Sequence, residues 1–253
     1  VTETSGIKTL VPRFYWGFIS PRKPEYVRGA GYQFYRLVPL DVIEIDIGLG
    51  IKDYNSEAVE LAGENFWHCV DRLKQEKVDR ITLGGVPVSI GLGRAKVLEL
   101  LAAVEDQVGI PADAPLEALI VSMKHLGISK VAIGSRWADE VNSRLVKYLA
   151  EGGIEVVGIT TRGQMAKVAH EMTFEEGLQI AEDVGREAAL TNSETEAIFV
   201  PGGAAATLHV VPKLEAEFNK PVFTNLTVEV WNGLVRPGVI DPIEGWGQLL
   251  ASK

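Results

Sequence analysis

Glu196-Ala197-Ile198-Phe199-Val200-Pro201-Gly202-Gly203 is a short apolar run that stops at a glycine pair and then feeds a stretch with apolar residues at helical spacing. Val78-Asp79-Arg80-Ile81-Thr82-Leu83-Gly84-Gly85, in the first half of the chain, has the same form. Working outward, further runs repeat the pattern. Strands are expected at Thr9–Val11 or Phe14–Ile19, Asp41–Ile47, Arg80–Leu83, Lys130–Gly134, Glu155–Ile159, Ala197–Val200 and Pro221–Thr224. Helices are expected at Asn55–Glu76, Ala95–Val108, Leu116–Leu126, Asp139–Glu151, Thr173–Thr191, Ala205–Asn219 and Thr227–Val235. Most of these strands are too apolar for burial on one face alone, so helices should cover both faces of mostly parallel sheets. The echo between the halves implies an α/β fold of two pseudo-symmetric lobes. Gly109-Ile110-Pro111-Ala112-Asp113-Ala114-Pro115, whose two prolines disfavour helix continuation, is the expected linker.

The chain has 253 residues, 46% of them hydrophobic, enough for a substantial core. It carries 34 acidic against 25 basic side chains, a net charge of −9 with no Lys/Arg-rich run. Nucleic acids and anionic membranes both require clustered positive charge, so neither is expected as a partner. The single cysteine, Cys69, excludes an intramolecular disulfide, a cysteine-based zinc site and any mechanism that needs two thiols. The first residues have no basic and apolar leader pattern and no apolar run is long enough to span a bilayer, so a soluble, cytoplasmic protein is expected.

Several motifs fall short of a cofactor signature. Gly48-Leu49-Gly50-Ile51-Lys52-Asp53 has two glycines of a dinucleotide fingerprint and Asp where the third belongs, and Gly91-Leu92-Gly93-Arg94 also lacks it. No phosphate-binding GxxxxGK[ST] loop occurs. His68, His125, His170 and His209 form no metal-ligand spacing, so neither a metal nor a cofactor is expected. Cys69 reads as a buried packing thiol. His209 follows Gly202-Gly203 closely enough to approach a ligand there, although a helix-surface role is the plainer reading.

The glycine-ended turns carry more. A strand that ends in glycine and opens a helix directs free amides and the positive helix end to one point, an anion cradle. Ser135-Arg136-Trp137 lies on a third such turn, between the strand ending at Ile133-Gly134 and the helix opening at Asp139-Glu140. Ligand sites of α/β sheets form at such carboxyl ends.

Together these segments resemble the maleate isomerase and arylmalonate decarboxylase branch of the aspartate/glutamate racemase superfamily. The resemblance covers most of the chain. It rests on Trp137-Ala138-Asp139-Glu140-Val141-Asn142 with Arg144-Leu145 and Tyr148-Leu149, on Gly152–Gly158, on Ala197–Gly203 with Val211–Glu215 and Lys220–Phe223, and on Arg80–Gly85. It implies a racemase-like pair of lobes, residues 1–114 with 221–253 and residues 115–220, with the active site in the cleft between them and homo-oligomerisation. The family uses cysteine thiolates on opposite sides of a small carboxylate. The matching positions here are Gly85 and Gly202. Val86-Pro87 stand where small hydroxyl residues usually line the pocket, Trp137 stands where a tyrosine is usual, and Ser20-Pro21-Arg22-Lys23-Pro24 replaces a Pro-Ser-Ser-Asn-like turn.

Glycine can neither attack a double bond nor donate a proton, so thiol-based isomerisation and two-base racemisation are excluded for these positions. The expected function is a cysteine-independent lyase or isomerase acting on a small carboxylate or carbonyl compound. Gly85, Val86, Pro87, Ser135, Trp137, Gly202 and Gly203 would bind it. His209 and Arg136 are the foremost catalytic candidates, followed by Arg94 and a water held by Ser89 or Ser135. The alternative is a non-catalytic carboxylate-binding or regulatory protein on the same scaffold. Trp137, Val86 and Phe14–Trp16 also suggest an apolar pocket for a bulkier substrate.

Overall fold

A computed structural model describes residues 11–22, 30–51, 56–164, 172–202 and 206–253. The elements run β1 (Phe14–Ser20), α1 (Ala30–Phe34), β2 (Val42–Gly48), α2 (Ser56–Gln75), β3 (Arg80–Leu83), α3 (Val86–Leu92), α4 (Arg94–Val108) and β4 (Ala112–Asp113). They continue with α5 (Pro115–His125), β5 (Lys130–Ile133), α6 (Asp139–Glu151), β6 (Glu155–Ile159), α7 (Phe174–Thr191), β7 (Ala197–Val200), a 3₁₀ turn (Leu208–Val210), α8 (Val211–Phe218), β8 (Val222–Thr224), α9 (Asn225–Val230), a π-helical turn (Trp231–Val235) and α10 (Gln248–Ala251).

Two four-stranded sheets result, in the orders β2-β1-β3-β4 and β6-β5-β7-β8. Every pairing is parallel. The second sheet thus repeats the first strand for strand, and the fold is an α/β pair of lobes as the sequence implied. Close helix–sheet packing sets two glycines: Cβ atoms would lie 2.9 Å from Leu73 at Gly17 and 2.9 Å from the Gly185 backbone at Gly134. Here α2 and α7 lie directly on β1 and β5.

One core cluster runs through both lobes, including Trp16, Phe66, Leu119, Trp137, Leu149 and Trp231, and a smaller one lies between α7, α8 and the second sheet. α5, which follows the first sheet, packs against α9, which follows the second; α3 packs against α6. Leu208 donates its amide to Gln33 Oε1 at 2.9 Å, a further bond between the halves.

Several expectations need correction. The expected linker holds β4, which pairs with β3. Its prolines flank the two ladder residues and so cost no sheet bond. Asp113 there accepts from Arg80 Nη2 at 2.7 Å and Asn232 Nδ2 at 2.9 Å, which ties the π-helical turn to the first sheet. β8 pairs with β7, so residues 222–224 lie in the second sheet. Ala205, where a helix is expected to begin, lies outside the described residues; from Ala206 the helix becomes regular only at Val211, because Pro212 has no amide for the preceding turn and crowds its carbonyl. α3 was not expected, yet Pro87 sits in its first turn, where proline is tolerated. β1 is Phe14–Ser20; the alternative from Thr9 begins outside the described residues. Phe14–Trp16 occupy the amino end of β1, and Trp16 is a core residue that donates to Thr82 Oγ1, so this segment cannot line a site at the carboxyl ends. Among the described residues, no helix is long and apolar enough to cross a membrane.

Candidate active site

Strand register relates the turns of the two lobes. β1 pairs with β3 through Gly17↔Ile81 and Ile19↔Leu83, and β5 pairs with β7 through Ala132↔Ile198 and Ile133↔Phe199. Gly85 and Gly202 are the left-handed glycines after β3 and β7, with φ of +94° and +109°. Matching them makes Ser20 the counterpart of Ser135 and Pro21 the counterpart of Arg136. Contacts agree: a Cβ on Gly85 would lie 2.9 Å from Pro21 Cγ, and one on Gly202 would lie 3.4 Å from Arg136 Nη2. α3 follows the first turn, α6 follows the Arg136 loop, and the two helices touch.

In the second lobe the loop after β5 is fixed by its own hydrogen bonds. Ser135 Oγ donates to Asn142 Oδ1 at 2.6 Å and accepts from the Trp137 amide at 3.1 Å. Asn142 Nδ2 donates to the Thr160 carbonyl, Thr160 Oγ1 to the Ser135 carbonyl at 2.7 Å, Thr161 Oγ1 to the Trp137 carbonyl at 2.6 Å, and the Gln164 amide to the Arg136 carbonyl at 3.0 Å. Held by these bonds, the loop keeps Arg136 at 5% exposure, and the guanidinium Nε and Nη1 have no partner. Burial lowers its pKa to about 10, so at neutral pH it remains a cation without a described counter-ion. Trp137 is also buried, with an unpartnered indole N–H.

The first-lobe turn is apolar. Val86 is fully buried, Pro87 has no amide, and the Val88 and Ser89 amides both go to the Gly85 carbonyl, at 3.1 and 3.2 Å. At most the Gly85 and Val86 amides remain for a ligand. Arg22 is held by Asp46. In the second lobe the Gly202 amide donates to Asn225 Oδ1 at 3.4 Å, and Gly203, with the two residues after it, lies outside the described residues. Beside these turns the Arg136 guanidinium is the described group with unpartnered charged donors.

Other candidates are placed as follows. His209, on the 3₁₀ turn, packs among Tyr32, Phe174 and Trp246 at ring-centroid distances of 6.2, 5.8 and 5.5 Å. Its Nε2 is buried and unpartnered, and desolvation, then Arg36 and Lys213, lower its pKa. None of its described contacts reaches Arg136. Arg94 is committed to Glu117, at 2.9 and 3.0 Å, and to the Glu151 carbonyl, so it drops out. Ser89 Oγ is directed at the Gly85 carbonyl at 3.5 Å and Ser135 Oγ donates to Asn142, so each hydroxyl's donor is turned toward the protein. Cys69 is buried on α2 facing the Gly48 carbonyl; desolvation, with Asp46 nearby, pushes its pKa up to about 11, so it is a protonated packing thiol. Ser20 was passed over as a candidate: it is buried at the end of β1, and its Oγ has no partner. Its equivalence to Ser135, visible once register is known, is the signal that finds it. Among the described residues, no cluster of His, Cys, Asp or Glu could hold a metal.

The family model for arylmalonate decarboxylase matches residues 20–250. The arylmalonate decarboxylase of Bordetella bronchiseptica is 25% identical over 239 residues, covering 92% of this chain and 95% of the relative. A liganded double mutant of arylmalonate decarboxylase superposes with a TM-score of 0.81 at 23% identity, over 93% of this chain and 98% of the other. The maleate isomerase of Pseudomonas putida S16 gives a TM-score of 0.76 at 18% identity, over 94% and 98% of the two chains. The two structural likenesses carry the fold, and the match over residues 20–250 carries the family: this chain belongs to the arylmalonate decarboxylase family.

Proposed function

We propose that the protein is a lyase or isomerase for a small carboxylate, that it works in the cleft between the lobes without a thiol, and that Arg136 receives the carboxylate. The observation that carries this reading is the Arg136 guanidinium, buried with two unpartnered N–H groups beside Gly202. A buried cation without a counter-ion is costly, and an anionic ligand removes that cost. The same charge is preorganised for catalysis: negative charge that spreads onto the carboxylate oxygens as a bond to the α-carbon breaks meets a fixed cation in a low-dielectric site. Neither glycine offers a nucleophile or acid, and protonated Cys69 is unsuited to replace one. Where a C–H bond breaks, the proton falls to His209, whose lowered pKa leaves a neutral imidazole able to accept it; where carbon dioxide leaves, the electron pair left on the α-carbon must be given a proton, from the Ser20 hydroxyl or the imidazole N–H with water restoring it.

Membership of the arylmalonate decarboxylase family supports the class of substrate. A second reading, carboxylate binding without turnover, is favoured by the contacts of His209, which run to its aromatic neighbours. One experiment separates them. A panel of small carboxylates is incubated with the protein, products are analysed, and thermal shifts are read in parallel. Turnover that survives iodoacetamide and falls at least about tenfold in His209→Ala fits the proposed enzyme. Stabilisation with no product fits the binder. Thiol-blocker sensitivity that substrate protects against overturns the cysteine-independent reading.

A further inference from the structure

Ser20 Oγ and Asp46 Oδ1 are both buried, and both lack a partner among the described residues. Buried polar atoms left unsatisfied are rare enough to need a reason. Strand register relates the two. β1 pairs with β2 through Phe18↔Asp46 and Ser20↔Gly48, so Ser20 and Asp46 share a face of neighbouring strands, two residues apart along them. Strand spacing and rise put their backbones about 8 Å apart, a gap that the two side chains close directly or through one water. Arg22 crosses the space over Gly48, where a Cβ would lie 2.8 Å from the Arg22 carbonyl oxygen, and its Nε holds Asp46 Oδ2. The carboxylate is thereby anchored by one oxygen, with Oδ1 its spare acceptor.

We infer that Asp46 lets Ser20 take a proton from the α-carbon of a bound carboxylate, so that the site exchanges the α-hydrogen of a monocarboxylate with solvent. The inference rests on the reading of Arg136 as the carboxylate partner. Pro21, the residue after Ser20, sits against Gly85, and the Gly85 and Val86 amides there are donors only. A serine oxygen becomes a base as its own proton leaves, which requires an acceptor behind it. Cys69 is protonated, and Glu44 shares the face two residues further from the turn than Asp46. Asp46 Oδ1 is the acceptor that register places there. As the C–H bond breaks, its proton goes to Ser20 Oγ and the proton of Ser20 goes to Asp46 Oδ1. The electron pair stays on the α-carbon and spreads into the carboxylate held by Arg136. Return of a solvent-derived proton along the same path restores the acid. Ser20 is the catalytic residue of this step and Asp46 acts through it as a positioning residue, in the first lobe, apart from the His209 imidazole.

The test follows deuterium uptake at the α-carbon of 4-nitrophenylacetate and 2-phenylpropanoate in D2O by NMR, with binding read by calorimetry. The unaltered protein should speed uptake above the protein-free rate. Ser20→Ala and Asp46→Asn should each slow it at least about tenfold while both acids still bind. The double variant should be no slower than either single one, because members of one relay are not additive, whereas a purely structural Asp46 would add its loss to that of Ser20. Should Asp46→Asn fail to fold, Arg22→Gln combined with Asp46→Asn removes both charges of the pair and takes its place. Binding that Arg136→Leu removes, with no uptake above the protein-free rate, overturns the inference and leaves the role of Arg136 standing. Uptake that survives loss of the Asp46 carboxylate, or that only His209→Ala abolishes, overturns it too. If neither acid binds, or binding survives Arg136→Leu, the role of Arg136 falls and the inference with it.

Discussion

The loops after β1 and β5 occupy matching positions in two sheets of the same strand order, yet one is nearly inert and the other holds a buried charge. Ser20 and Pro21 sit against Gly85 with the serine hydroxyl unpartnered. Ser135 and Arg136 sit against Gly202 with the serine locked to Asn142 and the loop carbonyls bonded to Asn142, Thr160, Thr161 and Gln164. Backbone symmetry thus pairs the two loops. On the proposed reading, the side chains of one half select the ligand.

The largest expected effect breaks the asymmetry outright. Arg136→Leu should weaken carboxylate binding by about a hundredfold or more, since it removes one partner of a buried charge pair. The same change should make the ligand-free protein more stable by about 1–3 kcal/mol, because burial has already lowered the guanidinium pKa to about 10 and a well-packed apolar group avoids that cost. Urea titration without ligand and calorimetry with it check both halves. A loss of stability in Arg136→Leu would mean that the guanidinium is a structural anchor.

Next in size is the paired test of the glycines. Alanine at either position adopts a disfavoured backbone conformation, worth about 1–3 kcal/mol. Gly85→Ala should be the more destabilising, because its Cβ meets the rigid Pro21 ring at 2.9 Å. At Gly202 the new methyl touches Arg136 at 3.4 Å, an ordinary contact, so Gly202→Ala should cost less stability and more carboxylate affinity. Equal effects on both readouts would argue that the two turns are interchangeable.

How far the site was legible in the chain follows from which interactions are local. Ala197–Val200 and Arg80–Leu83 could be read because an apolar strand buried on both faces and ended by glycine is a local pattern. Arg136 was visible as a loop residue between a strand and an acidic helix start. That its guanidinium is buried without a partner was not, because burial depends on Gly202, distant in sequence. β4 was missed because two residues between prolines have no periodicity; their place depends on Asp113 meeting Arg80 and Asn232. Free amides at the glycine turns are equally a matter of distant or side-chain partners. Glycines mark where a turn can form, but whether its amides are free depends on Pro87, the Gly85 carbonyl and Asn225.

The two serines sharpen the comparison at a smaller scale. Ser135→Ala removes a donor to Asn142 and an acceptor for the Trp137 amide, both buried, and should cost about 1–3 kcal/mol. Ser20→Ala removes a buried hydroxyl with no partner and should be neutral or slightly stabilising. If Ser20 instead supplies the proton, its alanine variant loses turnover while keeping its fold, a combination that Ser135→Ala cannot give.

The smallest effect is a pH dependence centred on His209. Desolvation among Tyr32, Phe174 and Trp246, with Arg36 and Lys213 nearby, lowers the His209 pKa. The unfolded chain therefore takes up this proton at a higher pH than the folded protein does. The stability involved is fully present above the ordinary histidine range and is lost as pH falls through the lowered folded value. His209→Phe keeps an aromatic ring in the cluster and cannot charge, so its melting temperature should fall less between pH 7 and pH 5 than that of the unaltered protein. The carboxylate affinity at Arg136 should stay level over the same range, because a guanidinium with a pKa of about 10 remains charged throughout. If acid weakened binding of a carboxylate that itself stays ionised over this range in the unaltered protein and not in His209→Phe, the imidazole would have to be coupled to the ligand, and His209 would join Arg136 as part of one site.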